Sequence, residues 1–341
     1  MISRVLSLAV AVLICVAYAH AGIIRSPEAQ ALLNYMNEIY GKKMLSGTMA
    51  NVNWNINEAQ WVYEHTGRWP AINCFDFIHH MSSQQGGWID YSDTNVVEDW
   101  HSAGGIVSIM WHWNVPAKRN GEYAFYSEKT DFDVRKIFDE KSWEYALMIK
   151  DIDQIASYLK LLKNKHIPII WRPLHEAGGK WFWWGRDADA CKRLWHVMYQ
   201  RFEDAGLDNL IWVFTPAAAW KRPFEDGMQY YPGDNYVDIV GFDIYNVSDA
   251  QVCHDDYYKF LHKQCPDKLV AVTECGNMST IGSQWQAGDK WLFFMPWYDY
   301  NRTKDLSSSA FRELEHGNAS VTWWKDAWSQ DFVLSRDQVS Y

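Results

Sequence analysis

The sequence predicts an α/β fold in a single domain, a (β/α)8 TIM barrel, on three observations. Eight short β-branched or aromatic runs recur along the chain, stretches of helical periodicity lie between them, and no Pro/Ser linker, low-complexity tract or short repeat divides the chain. Near-continuous apolar strands alternating with helices mark parallel β/α units, whose strands are buried on both faces. Eight such units within 341 residues suit a closed barrel, which takes ~250 residues or more. Two doubly wound domains would need a linker, and the tryptophans show no blade-like period that would favour a propeller.

The runs, in order, are KMLSGT (43–48), PAINCFDF (70–77), GIVSIMWHW (105–113), IPIIWRPLHE (167–176), LIWVFTP (210–216), VDIVGFDIY (237–245), LVAVTECG (269–276) and WLFFMPWYD (291–299). Apolar residues three to four apart predict helices over 144–165 and over 188–206, the second closing on Gly206. The gap between the third and fourth runs is the longest. Residues 114–143 read as a long βα loop, mixed in charge and aromatic, on the C-terminal face where barrel active sites lie.

The start, MISRVLSLAVAVLICVAYAHAGII, reads as a secretory leader. Arg4 supplies the positive region, Val5 to Val16 the apolar run, and Ala19-His20-Ala21 a small-x-small cleavage site. Residues 1–21 are therefore expected to be removed, leaving 22–341 as a secreted, extracellular catalytic domain. The apolar run is short for a membrane anchor, and no later stretch is long and apolar enough to span a bilayer, so no membrane association of the mature chain is expected. A formal net charge of -10 argues against nucleic acid, which needs a positive field. The 21 Trp, 19 Tyr and 15 Phe residues exceed what a core needs and suit a surface that grips the flat C–H faces of sugars.

After the leader, Cys74, Cys191, Cys253, Cys265 and Cys275 remain. An oxidising compartment and a short closable segment lead us to expect a Cys253–Cys265 disulfide. No CxxC or zinc spacing is present, and FIHHMS (77–82) lacks a third ligand, so neither metal nor cofactor is expected. Asn246, Asn277, Asn301 and Asn318 head glycosylation sequons, meaningful if a eukaryote secretes the chain.

The chemistry gathers at the ends of the runs. The third ends at His112, the fourth at Arg172, His175 and Glu176, the sixth at Asp243 and Tyr245, the seventh at Glu274, and the eighth carries Trp297 and Asp299. Strand alternation places Arg172, Leu174 and Glu176 on one face, and Val270, Val272 and Glu274 on another. Two glutamates would then face one cleft, as glycosidic hydrolysis requires: one protonates the leaving oxygen and the other meets the charge developing at the anomeric carbon. Glu274 would raise the pKa of Glu176 by like-charge repulsion, while Arg172 and Tyr245 keep Glu274 ionised. Singly, each residue has a plainer reading. Arg172 suits a buried ion pair, the histidines a satisfied core, and the Trp181–Trp184 cluster ordinary packing. Their joint placement at strand ends is what points to a cleft.

WRPLHEAGGKWFWWG (171–185) resembles the acid/base signature of glycoside hydrolase family 26, R-P-x-H-E-x-x-G-x-W-F-W-W-G; VTECG (272–276) resembles its nucleophile strand and VDIVGFDIY its sixth strand. The likeness runs from about residue 43 to the end of the chain. It implies a (β/α)8 barrel of retaining enzymes, mostly endo-β-1,4-mannanases, with Glu176 as acid/base (proton donor) and Glu274 as nucleophile. His112, Arg172, His175, Trp181, Asp243, Tyr245 and Trp297 are implied as substrate-binding residues, Trp181 on the aglycone side and Tyr245 against the nucleophile. Ala177 and Gly178 depart from the larger or amide residues usual after the acid, and Cys275 from the aromatic or apolar residue usual after the nucleophile. The implied partner is a β-mannan polysaccharide and the expected state a monomer. A mixed-linkage β-glucanase or β-1,3-xylanase of the same family, and a catalytically inactive carbohydrate-binding barrel, are the alternative readings.

Overall fold

The structure, a computed structural model, describes residues 25–50, 52–216 and 225–341. The leader assigned to residues 1–21 lies outside them. All eight runs form strands: β1 Met44–Met49, β2 Ile72–Asp76, β3 Ile106–Met110, β4 Ile169–Arg172, β5 Leu210–Phe214, β6 Ile239–Tyr245, β7 Leu269–Gly276 and β8 Phe293–Pro296. Each pairs in parallel with the next, and β8 pairs with β1 through Leu45 opposite Phe293, closing the barrel. A two-residue strand, Val333–Leu334, pairs in parallel with the start of β1.

Alternation along the strands sorts the core into two layers. Leu45, Ile72, Ile106, Ile170, Ile211, Ile239 and Phe293 fill the barrel interior. Val107, Ile109, Ile169, Trp171, Val240, Phe242, Val270 and Val272 point outward into a shell beneath the helices. This shell absorbs most of the tryptophan: Trp61, Trp100, Trp111, Trp113, Trp171, Trp183, Trp184, Trp195, Trp212, Trp291, Trp323 and Trp324 are buried in it. Composition alone had suggested a sugar-gripping surface for these side chains; most of them are core.

Helix α1, Pro27–Ile39, precedes the barrel and was not anticipated. Ser26 caps it and Pro27 occupies its first turn. Its Leu32, Met36 and Ile39 join the interior cluster, so α1 stops the N-terminal mouth. The two helices predicted from periodicity are present as Trp143–Lys163, capped by Ser142, and Ala188–Asp204, capped by Asp187. The long loop holds a small antiparallel hairpin, Val115–Pro116 with Tyr123–Ala124. Among the described residues, no helix is long and apolar enough to cross a membrane.

The expected Cys253–Cys265 disulfide is absent; both thiols are free and buried. The intervening residues are a continuous helical run, π-helical over Cys253–Tyr258 and α-helical over Lys259–Gln264. At about 1.5 Å rise per residue the two ends stand more than ~15 Å apart, far beyond the roughly 7 Å at which Cα atoms can be bridged.

Candidate active site

β4 ends at Arg172 and does not carry Glu176 along a strand. Leu174 and Glu176 take left-handed backbone with φ of 48° and 56°, a conformation that costs a non-glycine residue free energy and persists where surrounding contacts dictate it. The Glu176 amide donates to the Thr215 carbonyl and the Gly178 amide to the Pro216 carbonyl, both at the end of β5. Leu174 packs in the outer shell while Arg172 enters the barrel. The single-face reading of Arg172, Leu174 and Glu176 therefore fails, and a turn delivers the carboxyl that alternation was expected to deliver. Gly178 is required here: a Cβ would lie 2.5 Å from the Gly227 Cα and 2.7 Å from the Pro216 carbonyl oxygen.

Glu274 reaches the same space by a different irregularity. Phe242 pairs with Val272 but Asp243 pairs with Glu274, and on the other side Phe294 pairs with Val272 while Pro296 pairs with Cys275. β7 thus carries one extra residue against both neighbours, a β-bulge at Thr273–Glu274. Val270 and Val272 face the shell, so unbroken alternation would send Glu274 outward with them. The bulge turns both Thr273 and Glu274 inward, which corrects the shared face assigned to Val270, Val272 and Glu274. Thr273 Oγ1 donates to Asp243 Oδ1 at 2.7 Å and lies 3.1 Å from Thr215 Oγ1.

The three carboxyl groups of Glu176, Asp243 and Glu274 each place an oxygen within 4.8 Å of the others. Arg172, 1% exposed, sits among them. Its guanidinium bonds Glu274 Oε1 and lies 3.2 Å from Asp243 Oδ2. Tyr245 donates its hydroxyl to Glu274 Oε2 at 2.8 Å. Among the described residues Glu176 makes no ion pair; it hydrogen-bonds the Asp243 carboxyl, and its Oε2 accepts from the Trp181 indole N–H at 2.8 Å. Among the described residues this is the one grouping of three or more acidic, His or Cys side chains close enough to share an ion. The Arg172 guanidinium already supplies the counter-charge that an ion would bring.

Burial, then the Asp243 and Glu274 carboxyls, push Glu176 well above the ordinary carboxyl range, with Arg172 opposing. Burial and Asp243 raise Glu274 to about 7, against the pull of Arg172, His112 and the Tyr245 hydroxyl. Glu274 is therefore the first of the two to ionise and Glu176 holds its proton longer. Burial, then Glu274, keep the Tyr245 phenol protonated as a donor. Burial, then Arg172 and His112, hold His175 well below its usual value, hence neutral.

The walls come from other strand ends. His112 follows β3, and Asp76 at the end of β2 grips it twice: Oδ2 lies 2.6 Å from the ring Nδ1 and Oδ1 accepts the His112 main-chain N–H at 3.0 Å. Asp76 was missed, although it sits at the end of the second apolar run in the position that drew attention elsewhere. The His112 ring packs against His175, Phe125, Phe182 and Trp297. Trp297 follows β8, its main-chain N–H donating to the Cys275 carbonyl at 2.7 Å, and packs on Tyr298. His175 is buried between Phe182 and Trp184, and among the described residues its Nδ1 has no hydrogen-bond partner. The nine residues given site roles from the sequence thus belong to one connected group at the C-terminal mouth, with Trp183 and Trp184 as core behind it; Asp299, also noted at the end of the eighth run, instead caps the short helix Tyr300–Thr303 and accepts the Gly317 main-chain N–H.

Residues 25–325 match the sequence profile described as glycosyl hydrolase family 26. The mannan endo-1,4-beta-mannosidase of Thermothelomyces thermophilus is 32% identical over 329 residues, covering 91% of this chain and 61% of that protein. Mannan endo-1,4-beta-mannosidase B of a Piromyces species is 33% identical over 80% of this chain and 47% of its own. The chain therefore spans roughly half the length of these relatives. The crystal structure of the GH26 domain from the Prevotella bryantii endo-beta-mannanase/endo-beta-glucanase superposes with a TM-score of 0.82 at 34% identity, covering 93% of this chain and 98% of that one. With the barrel, the two strand-end glutamates and the profile match in agreement, the chain belongs to glycosyl hydrolase family 26.

Proposed function

We propose that the protein is a secreted endo-β-1,4-mannosidase that cleaves internal bonds of mannan, glucomannan or galactomannan with retention of anomeric configuration. The observation that carries the reaction is a pair of buried carboxyls with oxygens within 4.8 Å and unequal partners. That spacing fits the roughly 5–5.5 Å of a nucleophile and acid, and is short of the roughly 6.5–9.5 Å that leaves room for an intervening water. The mannanase relatives support the substrate class.

In the first step a Glu274 carboxylate oxygen bonds to the anomeric carbon as the glycosidic C–O bond breaks. The leaving oxygen takes the proton of Glu176. Arg172 and Tyr245 keep Glu274 ionised and oriented until its charge is spent. With Glu274 esterified, its repulsion on Glu176 is gone, and ionised Glu176 accepts a proton from water as that water's oxygen attacks the same carbon and releases Glu274. The Trp181 N–H fixes one Glu176 oxygen, and a hydrogen bond with the Asp243 carboxyl favours the protonated form of Glu176.

Reducing-sugar release from galactomannan, glucomannan, lichenan and β-1,3-xylan, measured side by side, tests the reading. Faster cleavage of lichenan or β-1,3-xylan than of any mannan overturns the substrate and leaves the chemistry. Binding without cleavage of all four makes the chain a carbohydrate-binding barrel.

A further inference from the structure

Arg186 directly follows the WFWWG segment, and its partners are main-chain oxygens. One terminal nitrogen donates to the Phe132 carbonyl and the other to the Ser127 and Thr130 carbonyls, all in the long loop after β3. Carbonyl oxygens turned toward one point repel each other, and Thr130 and Phe132 are buried from the water that would relieve them. A planar guanidinium, with its donors in a fixed fork, holds them together through charge-assisted bonds. The post that carries Arg186 is rigid. The Trp183 indole N–H donates to the Trp113 carbonyl at 2.7 Å and the Trp184 indole N–H to the His175 carbonyl at 2.9 Å. The Tyr230 hydroxyl donates to the Gly185 carbonyl at 2.7 Å. Gly185 itself packs so tightly on the turn behind the acid that a Cβ would lie 2.3 Å from the Ala177 carbonyl oxygen.

From the clamped loop a second set of bonds returns to the acid. Tyr126 and Phe182 form an antiparallel bridge. The Trp183 amide donates to the Phe125 carbonyl at 3.0 Å and the Ser127 amide to the Trp181 carbonyl at 2.7 Å. Ser127 Oγ donates to the Lys180 carbonyl at 3.1 Å. The Trp181 main chain is thus held by the same residue whose carbonyl Arg186 grips. Its ring lies over Gly179, where a Cβ would come 2.0 Å from it, and its indole N–H reaches Glu176 Oε2 at 2.8 Å. The path from guanidinium to Ser127, to Trp181, to the Glu176 carboxyl is continuous.

We infer that Arg186 is a positioning residue for the general acid: it holds Ser127 in place so that Trp181 keeps the Glu176 carboxyl aimed at the leaving oxygen. The inference rests on the roles proposed above for Glu176 and Glu274. Its signature is selective, because dinitrophenolate leaves without a proton and phenolate needs one. With dinitrophenyl and phenyl glycosides of the same β-manno-oligosaccharide, kcat/KM reports the first step. Arg186→Ala should keep the dinitrophenyl value within about twofold and lower the phenyl value about tenfold or more, the scale of a displaced acid. Arg186→Lys, a point charge without the fork, should fall between. Equal losses on the two glycosides make Arg186 structural only and overturn the inference, as does no loss on either.

Ser127→Pro carries the test if Arg186→Ala does not fold. Ser127 opens the short helix Ser127–Lys129, and Tyr126 before it is extended, with φ of -73° and ψ of 133°, a setting that accepts proline. The change deletes the N–H on the Trp181 carbonyl and keeps the carbonyl that Arg186 grips. It should give the same selective loss on the phenyl glycoside; an unselective loss or none overturns the inference. Should the wild type cleave neither glycoside, the proposed function fails by itself. The indole N–H resonance of Trp181 then decides, in protein isotopically labelled at its tryptophans and with Trp181→Phe to identify the signal. Its displacement in Arg186→Ala or Ser127→Pro, with the resonances of the buried tryptophans in place, supports the inference. An unmoved resonance, or a general movement of all of them, overturns it.

Discussion

At the N-terminal mouth of the barrel, Leu32, Met36 and Ile39 of α1 lie in contact with the interior aliphatics. At the C-terminal mouth, three carboxyls crowd one guanidinium, two residues hold left-handed backbone, and β7 breaks register. The first end follows every rule of a stable core. The second departs from several, at Leu174 and Glu176 and again at Thr273–Glu274, and those departures deliver the two glutamates to one space. Stability and chemistry are thus separable along the barrel axis, and substitutions at the two ends should report different quantities.

The largest effect is expected from the glutamates. Glu176→Ala and Glu274→Ala should each lose about 10³-fold or more of polysaccharide activity while keeping the wild-type circular dichroism and melting temperature. They differ in detail. An activated aryl mannoside should give Glu176→Ala a burst of covalent intermediate, and azide should rescue it to a β-azide. Glu274→Ala should give an α-azide. The opposite pairing of products would reverse the assignment.

The converse experiment is Leu32→Ala, which should cost about 2–5 kcal/mol of stability in a denaturant melt and leave kcat unchanged. A fall in kcat at temperatures where the variant is folded would show that the two ends are coupled.

Asp76→Asn comes next. It keeps the size of the side chain but weakens its grip on the His112 ring, and kcat should fall about ten- to a hundredfold at nearly constant melting temperature. Asp76→Glu, which retains the charge, should recover part of the loss.

The smallest effect is in the pH profile. The proposed mechanism requires Glu274 ionised and Glu176 protonated, so the rate should fall as pH drops through about 7, where Glu274 gains its proton, and again as pH rises through the elevated value of Glu176. Tyr245→Phe removes a hydroxyl that lowers the Glu274 pKa, so its acid limb should move to higher pH. A move to lower pH would mean that Glu274 does not govern that limb.

Sequence reasoning reached the barrel because parallel strands buried on both faces leave an unambiguous apolar run, and reached the site because charged residues at the ends of such runs are conspicuous. The route to each glutamate was not legible. Strand periodicity assumes regular backbone, and neither the left-handed turn at Leu174 and Glu176 nor the bulge at Thr273 leaves a sequence mark such as glycine at the irregular residue. Asp76 escaped because its task is to hold another side chain. The Cys253–Cys265 pairing failed because sequence separation was read as a loop where the chain is helical.

The N-terminal stopper also sets an order of events in biosynthesis. α1 is among the first parts of the barrel domain to leave the ribosome. The cavity that receives it is lined by residues as late as Leu292, Phe293 and Leu334, and is complete only when β8 docks on β1. Until nearly the whole chain has been made, the Leu32–Met36–Ile39 stripe has no finished seat and stays available to chaperones or to other nascent chains. The helix made first is seated last, and closure of the barrel over such a sequence separation makes that final step slow relative to local helix formation.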